Sequence, residues 1–359
     1  MNFNSLPLKS FRVLLFPLAL VYAIVVIIRN FLYDHRIIRS DQFNLPIIGV
    51  GNLAVGGTGK SPMVEYLVNC LMKDFKLATL SRGYKRKTRG YVLAGASTTA
   101  LEIGDEPMQF HLKFPKIAVA AGEQRAEAIP QLLYDRPDTQ VIILDDAFQH
   151  RAVRAGFNIV LTDYSNLFTR DFFLPTGDLR DQRMSYKRAD IIVITKCSAG
   201  MQEREKNNLV SEIKPLPHQK VFFSTIQYGQ PYHIINKQAF ALHKDMEVLL
   251  ACGIANPEPL KLWLNQTVES YEVITYSDHY IFTIDDLKDM LKRFSKIDAA
   301  EKIILTTEKD AVRLVKFEQE LKTIPLFVIP IETVFLFNEG RQFDAVVSGF
   351  IKNFKANET

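Results

Sequence analysis

Short apolar runs alternate with stretches of helical spacing along most of the chain. Runs that are apolar throughout are typical of strands in parallel sheets, because helices cover both faces of such sheets. Strand-like runs occur at residues 46–50, 77–80, 116–121, 141–144, 158–162 and 191–195, and later at 221–226, 248–252, 271–275, 302–306 and 325–329. Helical spacing appears between several of them, for example at 63–72 and 283–294. The alternation predicts an α/β fold with parallel sheets.

The length of the chain allows two units of ordinary size, each with its own core. A chain of 359 residues supports two domains, and beyond about residue 200 the pattern continues with fewer glycines. We predict an N-terminal helical segment at 1–36, a larger α/β unit at 37–210 and a smaller α/β unit at 211–345 that closes over a cleft. The end of the chain is allowed to return to the larger unit.

An uninterrupted apolar run at Val13–Ile28 precedes the first strand. As a helix it would extend roughly 24 Å, whereas the hydrocarbon core of a bilayer measures roughly 30 Å. Basic residues flank the run on both sides, with Arg12 before it and Arg29 after it, so the positive-inside rule gives no simple orientation. We therefore favour a helix that lies on the membrane or dips into it. A true span, a signal peptide and a buried core helix remain alternatives.

Composition and charge exclude several classes of protein. A hydrophobic content of 47% is too high for a mostly disordered chain, and a formal net charge of +4 does not by itself imply nucleic acid. Cys70, Cys197 and Cys252 are far apart and form no C-x-x-C pair. Neither a zinc site nor a disulfide framework is therefore indicated, and a reducing cytosol fits best.

The glycine-rich segment GNLAVGGTGKSP at 51–62 lies between a predicted strand and a predicted helix. That order is typical of a phosphate-binding loop, in which backbone N–H groups surround phosphates at a helix N-terminus. The lysine of such a loop reaches the outer phosphates and the hydroxyl after it holds Mg²⁺. The residues expected to do so are Gly56, Gly57, Thr58, Gly59, Lys60 and Ser61. Ala54 stands where the strict pattern has glycine, so a turn with a chance Gly-Lys-Ser is the alternative.

Two acidic residues end the apolar strand 141–144. Asp145 and Asp146 match the arrangement in which a carboxylate at the end of a buried strand holds Mg²⁺ opposite the loop hydroxyl. Because ligands of open parallel sheets bind at the carboxyl ends of the strands, both motifs should lie on one edge. The alternative is an ordinary acidic turn at a strand end.

Other polar segments have more than one interpretation. Arg82–Gly90 is rich in basic residues and is either a solvated loop or a loop that faces an anion. The GDEP segment at 104–107 should open a helix, because acids and an early proline favour a helix N-terminus. His279 in SDHY is, on position alone, more often a structural histidine than a catalytic one.

Eight motifs in order resemble those of the tetraacyldisaccharide 4′-kinases, the lipid A 4′-kinases. They are GNLAVGGTGKSP, LSRGYKR, GDEP, DDAFQHR, LPTGDLRD, GIANP, SDHY and TEKDAVR, and they extend from about residue 45 to 315. Each motif is weak alone, but the ordered set is highly specific. The alanine at position 54 is also a trait of that family.

The resemblance implies an ATP- and Mg²⁺-dependent kinase acting on a membrane lipid. Its reaction would transfer the γ-phosphoryl group to the 4′-hydroxyl of a tetraacylated glucosamine disaccharide 1-phosphate, giving lipid IVA at the cytoplasmic face of the inner membrane. The implied fold is a P-loop α/β domain with a smaller α/β domain hinged onto it and a membrane-associated N-terminal helix. We expect the membrane surface as a partner, no nucleic acid, and a monomer.

The resemblance also implies roles for individual residues. Asp105 would be the catalytic base and His279 its partner, while Lys60 and Asp146 would complete the catalytic set. Residues expected to hold the metal are Ser61, Asp145, Asp146 and Glu106. Residues expected to support metal, phosphate or substrate are Arg125, Gln149, His150, Arg180 and Asp181.

The chain departs from the family pattern near the expected site. Ala147 replaces the usual glycine, and Asp178 and Asp181 replace the usual proline and glutamate. The shorter carboxylate at 181 puts a direct metal or substrate contact of that residue in doubt. None of the departures affects Lys60, Asp105, Asp146 or His279.

Two other functions compete with the kinase. A P-loop GTPase or nucleotide-dependent assembly factor would read guanine with N/T-K-x-D after a strand, but Thr195-Lys196 is followed by Cys197-Ser198. A non-enzymatic membrane adaptor with a vestigial loop would tolerate loss of Lys60.

Overall fold

A computed structural model describes residues 12–355. The part of the predicted N-terminal segment at 1–11 lies outside the described residues. The strands are β1 (Ile47–Asn52), β2 (Leu77–Ser81), β3 (Val92–Leu93), β4 (Ala118–Ala121), β5 (Val141–Asp145), β6 (Phe157–Asp163), β7 (Ile191–Thr195), β8 (Lys220–Tyr228), β9 (Tyr232–His233), β10 (Glu247–Cys252), β11 (Ser270–Thr275), β12 (Lys302–Thr307), β13 (Leu326–Ile329) and β14 (Ile331–Phe335). The helices are α1 (Phe16–Asp34), α2 (Lys60–Leu71), α3 (Ala100–Ile103), α4 (Asp105–Lys113), α5 (Arg125–Asp135), α6 (Glu203–Ile213), α7 (Glu258–Thr267), α8 (Ile284–Phe294), α9 (Glu308–Leu314), α10 (Glu318–Leu321) and α11 (Gly340–Lys352).

The larger sheet has nine strands in the order β14-β8-β7-β6-β1-β5-β2-β4-β3. Its central strand β1 pairs in parallel with β5 and β6, and every residue of β1 is buried. Helix α2 covers one face through Met63, Leu67 and Val68, each fully buried. The predicted α/β fold with a P-loop-type parallel sheet is therefore confirmed. Helix α2 begins three residues before the predicted 63–72 range, because Lys60 and Ser61 form its first turn.

The smaller sheet has five strands in the order β11-β10-β12-β13-β9. Strands β11, β10, β12 and β13 are parallel, and the short strand β9 is antiparallel at the edge. Sheet membership places the start of this unit at Tyr232, later than the predicted boundary at 210/211. The reason is that β8 pairs in parallel with β7 and thus belongs to the larger sheet.

The end of the chain returns to the larger sheet. Strand β14 pairs antiparallel with β8, and α11 then packs onto the sheet through Phe343 and Val347. The rings of Phe335 and Phe343 stack with centroids 4.4 Å apart. The smaller unit is therefore inserted between two segments of the larger one, which ties it to the larger sheet at both ends.

A buried charge cluster joins the two units behind the cleft. Lys113 of α4 lies 2.7 Å from Glu65 of α2 and 2.7 Å from Glu308 of α9, and both carboxylates are almost fully buried. Gln109 donates a further hydrogen bond to Glu65 at 2.6 Å. One ammonium group cannot neutralise two carboxylates. Burial and the charge of Glu308 therefore raise the pKa of Glu65 to about 7, although Lys113 opposes the rise.

Helix α1 is the one helix among the described residues that is long and apolar enough to cross a membrane, with Val13–Asp34 reaching a mean hydropathy of 2.3. Only a narrow stripe of α1 is buried, made of Ala19, Ala23, Val26 and Asn30. Large apolar side chains such as Val21 and Ile28 are exposed, by 60% and 54%. A buried core helix is therefore excluded as an interpretation of this run, while an amphipathic attachment and a span both remain compatible with it.

Replacing Glu65 with Gln should change how stability depends on pH. A carboxyl whose folded pKa is raised stabilises the fold fully below its unfolded pKa, near pH 4.5, and that contribution is lost as the pH rises through about 7. Wild type and E65Q should thus unfold at similar urea concentrations at pH 4.5–5. At pH 8 the variant should be more stable by up to about 3 kcal/mol, by linkage. If the free energies of unfolding of wild type and E65Q changed with pH in parallel, the raised pKa of Glu65 would be contradicted.

Candidate active site

The loop between β1 and α2 has the backbone form of a phosphate-binding loop. Gly59 caps α2 with a left-handed φ of 83°, and Gly56 has a φ of 105°, conformations that side chains disfavour. Nothing lies within 4 Å of a side-chain carbon placed at Gly56 or Gly57, so the loop faces open space. Thr195 at the end of β7 donates a hydrogen bond to the Thr58 carbonyl at 2.9 Å and supports the loop from below. The first turn of α2 therefore presents free N–H groups to an anion.

Asp145 and Asp146 lie at the carboxyl end of β5, directly beside β1. Asp145 is 6% exposed and accepts a hydrogen bond from the Ser81 hydroxyl at 3.3 Å. Burial and the neighbouring charge of Asp146 raise the pKa of Asp145 to about 6. Among residues 12–355, no group donates a hydrogen bond to the buried Oδ1 of Asp145. This oxygen is therefore available to a ligand.

Asp146 has the opposite electrostatic environment. Its backbone has a left-handed φ of 50°. Arg180 binds both carboxylate oxygens, at 3.1 Å for Oδ2 and closely for Oδ1, and Lys60 Nζ lies 3.6 Å from Oδ1. Burial acts to raise the pKa of Asp146, but the Arg180 hydrogen bonds and the Lys60 charge outweigh it and hold the pKa below its usual range.

Lys60 connects the loop to this acidic edge. Its ammonium group lies 3.4 Å from Asn52 Oδ1 as well as near Asp146. Burial lowers the pKa of Lys60, while the carboxylates of Asp146, Asp145 and Glu106 oppose that effect. Glu106, from the start of α4, is thus close enough to act on Lys60 across the site.

The residues at this edge suit Mg²⁺ and the phosphates of ATP. Within the described residues, no group of three or more acidic, histidine or cysteine side chains forms a ready-made metal cluster. Kinase Mg²⁺ sites use one or two carboxylates, with phosphates and water completing the shell. The free oxygen of Asp145, the Asp146 carboxylate and the Ser61 hydroxyl at the start of α2 fit that requirement. These residues would hold the metal.

Asp105 is held at the first position of α4 by two close-packed glycines. Gly104 has a φ of 93°, and a side-chain carbon there would lie 3.0 Å from the backbone of Gly83. Such a carbon at Gly83 would in turn lie 2.8 Å from the Ile103 carbonyl. The basic loop after β2 can therefore approach the start of α4 closely, and Tyr84 of that loop lies edge-on to His279 at 5.6 Å.

His279 and Asp105 meet across the cleft between the two units. His279 Nδ1 lies 2.6 Å from Asp105 Oδ2, and both side chains are about nine-tenths buried. His279 belongs to the loop after β11 and has a left-handed φ of 65°. Burial lowers the pKa of His279 despite the nearby Asp278 and Glu106 carboxylates, so the ring is mostly neutral at pH 7. Position alone favoured a structural histidine, whereas the family resemblance implied that His279 partners Asp105, and the geometry brings the two side chains together.

Arg313 is a member of this group that the sequence did not single out. Its Nε donates to Asp105 Oδ1 at 2.8 Å, and its Nη2 contacts Asp105 Oδ2 closely and lies 2.7 Å from His279 Nδ1. Arg313 is the last residue of the TEKDAVR motif. The motif contributes to the family resemblance, but the sequence predicts no role for the arginine itself. One sequence signal could have identified Arg313: it is a basic residue near the end of a helical segment that begins with acidic residues.

Three other expected residues surround the acidic edge. Arg125 is 2% exposed and donates to the carbonyls of Gly122 at 2.6 Å and Asp145 at 3.2 Å, so it fixes the end of β5. Gln149 donates to the Asn52 carbonyl at 2.7 Å. Burial and the charges of Arg125 and Arg82 lower the pKa of His150 to about 4, which keeps that ring neutral.

Asp181 does not face the nucleotide site. Its carboxylate accepts hydrogen bonds from Asn30 of α1 at 2.7 Å, from Ser185 at 2.8 Å and from Arg188 at 2.8 Å. These donors contact both of its oxygens, so the structure gives no support to the direct metal or substrate contact that the shorter carboxylate had already put in doubt, and a supporting role of Asp181 stays a prediction. Asp178, the neighbouring departure, pairs with Arg12 at 2.8 Å.

The basic segment 82–90 is partly a folded loop and partly open. Arg86 pairs with Glu123 at 2.7 Å and donates to the Gly90 carbonyl, so this arginine has a structural partner. Arg82, Lys85, Lys87 and Arg89 are exposed. The segment therefore retains cationic side chains at the mouth of the cleft.

Comparison with known proteins places the whole chain in one family. The family model for tetraacyldisaccharide-1-P 4′-kinase matches residues 11–351. A tetraacyldisaccharide 4′-kinase of Flavobacterium johnsoniae is 43% identical over 343 residues, covering 95% of this chain and 97% of that protein. One from Bacteroides thetaiotaomicron is 38% identical over 360 residues, covering 96% of this chain and 94% of that protein.

A solved structure agrees with the fold. The crystal structure of the "apo" form of LpxK from Aquifex aeolicus in complex with ATP superposes with a TM-score of 0.74 at 26% identity. The match covers 95% of this chain and 99% of that one. On these grounds the chain belongs to the tetraacyldisaccharide-1-P 4′-kinase family.

Proposed function

We propose that the chain phosphorylates the 4′-hydroxyl of a tetraacylated glucosamine disaccharide 1-phosphate with ATP and Mg²⁺, and that Asp105 is the base. The observation that carries the assignment of the base is the 2.6 Å contact between Asp105 and His279, placed opposite a phosphate-binding loop. A P-loop GTPase is disfavoured by the family match.

The phosphate side of the site would bind and orient ATP. Backbone N–H groups of residues 56–60 and the Lys60 ammonium group would hold the β- and γ-phosphates at the start of α2. Mg²⁺, when bound, neutralises charge that develops on the transferred group. Asp145, Asp146 and Ser61 would hold that metal, and Glu106 faces them from α4. Arg180 and Asn52 keep the Asp146 carboxylate in its orientation.

The acceptor side of the site would remove a proton from the sugar hydroxyl. A hydroxyl is a poor nucleophile, and a positioned base contributes roughly 10²- to 10⁴-fold to the rate. Asp105 would take the proton, and His279 would orient the carboxylate and stabilise it once it is protonated. Since the two residues come from different units, closure of the cleft would assemble the pair and exclude water.

We further propose that the lipid reaches the site from the membrane to which α1 attaches. The exposed apolar side chains of α1 supply a surface for acyl chains, and Arg29 and Arg36 lie at its charged end. Arg29 also donates to the Gln149 carbonyl at 2.5 Å, so this end of the helix touches the nucleotide edge. We propose that the site lies at the cytoplasmic face of the inner membrane, because a kinase needs the ATP of the cytosol.

Replacement of Asp105 with Ala should lower kcat by roughly 10²- to 10⁴-fold, because the proton acceptor is removed. The Kd for ATP should change little, since Asp105 does not belong to the phosphate-binding loop. The assay is transfer from radiolabelled ATP to a tetraacyldisaccharide 1-phosphate, followed by lipid chromatography. A wild-type kcat for D105A would remove this residue as the base, and no labelled lipid from the wild type would refute the kinase.

Replacement of Asp146 with Ala should weaken use of Mg²⁺-ATP, because a metal-facing carboxylate is lost. The Mg²⁺ concentration that gives half-maximal activity should rise in D146A. Asp163 ends β6, on the other side of β1 from β5, and pairs with Lys196 at 2.7 Å, so D163N is a control at the same edge of the sheet. Equal Mg²⁺ dependence of wild type and D146A would contradict the metal role.

Two charges on the exposed face of α1 should release the protein from membranes. The variant Val21→Asp/Ile28→Asp replaces apolar side chains that make no core contact, while the buried stripe of α1 stays intact. Co-sedimentation with anionic lipid vesicles should fall strongly, whereas Tyr134→Asp/Leu262→Asp, exposed by 87% and 62%, should sediment like wild type. Undiminished binding of the α1 variant would move the membrane contact to another surface, such as Arg82–Gly90.

A further inference from the structure

We propose that Arg313 is a positioning residue of the phosphoryl-transfer site, which fixes the Asp105 carboxylate and the His279 loop in one geometry when the two units close. The inference deepens the proposed function and rests on the assignment of Asp105 as the base. It concerns a residue on α9 of the smaller unit that would touch neither nucleotide nor acceptor and would act through Asp105.

Arg313 contacts both oxygens of the Asp105 carboxylate. Nε of Arg313 binds Oδ1 at 2.8 Å and Nη2 binds Oδ2, the same oxygen that His279 Nδ1 approaches at 2.6 Å. A carboxylate has about four lone-pair sites. The forked Arg313 donors engage both oxygens and restrict rotation of the carboxylate, while lone-pair sites remain for the sugar hydroxyl. His279 alone could not fix both oxygens.

Arg313 also holds the loop that carries His279. Its Nη1 donates to the Tyr280 carbonyl at 3.1 Å, one residue beyond the histidine. His279 has a left-handed φ, a conformation that persists for a residue other than glycine only where surrounding contacts enforce it. The guanidinium thus bridges the base and the backbone of its partner. Burial lowers the pKa of Arg313 to about 10, which still leaves it charged at neutral pH.

The two helices that meet here have complementary charges. Asp105 begins α4 and Lys113 ends it, while Glu308 begins α9 and Arg313 stands near its end. Arg313 pairs with Asp105 at one end of the helix pair, and Glu308 pairs with Lys113 at the other. The two helices therefore lie antiparallel.

An apolar contact fills the middle of this helix pair. Met108 of α4 and Val312 of α9 lie in one buried cluster, and Lys309 adds a looser pair to Glu106 at 3.6 Å. Closing the cleft therefore brings all of these contacts together, and Arg313 is the one among them that reaches the base. Packing of α9 against α4 thus fixes the orientation of the Asp105 carboxylate when the two units close.

The test is the kcat of R313M with R293M as the matched control. Arg293 is an exposed arginine of the same unit whose partner, Asp289, lies on its own helix at 3.0 Å. R313M should lower kcat roughly 10²-fold, the scale of a misplaced catalytic group, with the Kd for ATP unchanged. R293M should retain wild-type kcat. A folded R313M with wild-type kcat would overturn the proposal.

Arg313→Lys separates positioning from a purely structural role. Lysine keeps the charge but cannot form the forked contact, so R313K should recover part of the kcat lost in R313M. R313K also tests the proposal if R313M does not fold. A wild-type kcat for R313K would show that the forked contact of Arg313 with Asp105 is not required, which would overturn the proposal. A loss of kcat in R313M that tracks its loss of folded protein, with no recovery in R313K, would also refute positioning.

A double-variant cycle with D105N tests whether Arg313 acts through Asp105. In the D105N background, Arg313→Met should lower kcat little further, because the group it positions is already disabled. An independent, multiplicative loss would overturn the inference. D105N with wild-type kcat would refute the base assignment itself, whereas impaired D105N with normal R313M would refute only the role of Arg313.

Discussion

The Asp105 carboxylate, on the larger unit, is contacted by side chains of the smaller unit, and the candidate site depends on this contact. Its donors come from the smaller unit, His279 on a loop and Arg313 on a helix, while its own position is set by the larger unit through Gly83 and Gly104. A carboxylate so deeply buried is stable as an ion only when such donors surround it. The hydrogen-bonded group around Asp105 therefore draws on both units and is complete on neither one alone.

At the carboxyl edge of the larger sheet, the neighbouring residues Asp145 and Asp146 lie in different electrostatic environments. Burial raises the pKa of Asp145 to about 6, whereas Arg180 and Lys60 hold the pKa of Asp146 below its usual range. The difference arises from their partners, since Arg180 and Lys60 contact Asp146, whereas Oδ1 of Asp145 has no hydrogen-bond donor among residues 12–355. One acid with a free oxygen and one firmly ionised acid then face the same loop, a pairing that suits metal and phosphate.

Helix α1 is attached to the same edge by polar contacts and not only by its apolar stripe. Tyr22 donates to the Arg180 carbonyl at 3.1 Å, and the buried Asn30 donates to Asp181 at 2.7 Å. Arg180 in turn holds Asp146. Helix α1 and the acids at the end of β5 are thus linked through Arg180 and its hydrogen bonds, which orients the exposed apolar face of α1 relative to that edge of the sheet.

Much of this arrangement follows from the sequence. Apolar runs determine the buried strands, and the rule that ligands bind at strand carboxyl ends correctly brings the 51–62 loop beside Asp145 and Asp146. The ordered motifs identify the family and its reaction. These features are local, since each depends on a short segment whose spacing is visible in one dimension.

Only the tertiary structure decided what depends on distant residues. The return of β8 and β14 to the larger sheet, and the contact of Arg313 with Asp105 across 208 positions of sequence, have no local signature. The same holds for Asp181, whose carboxylate turned out to bind α1, because side-chain partners follow from packing rather than from spacing. Sequence thus determined which groups are present at each edge, and the folding of two units against each other decided which of them touch.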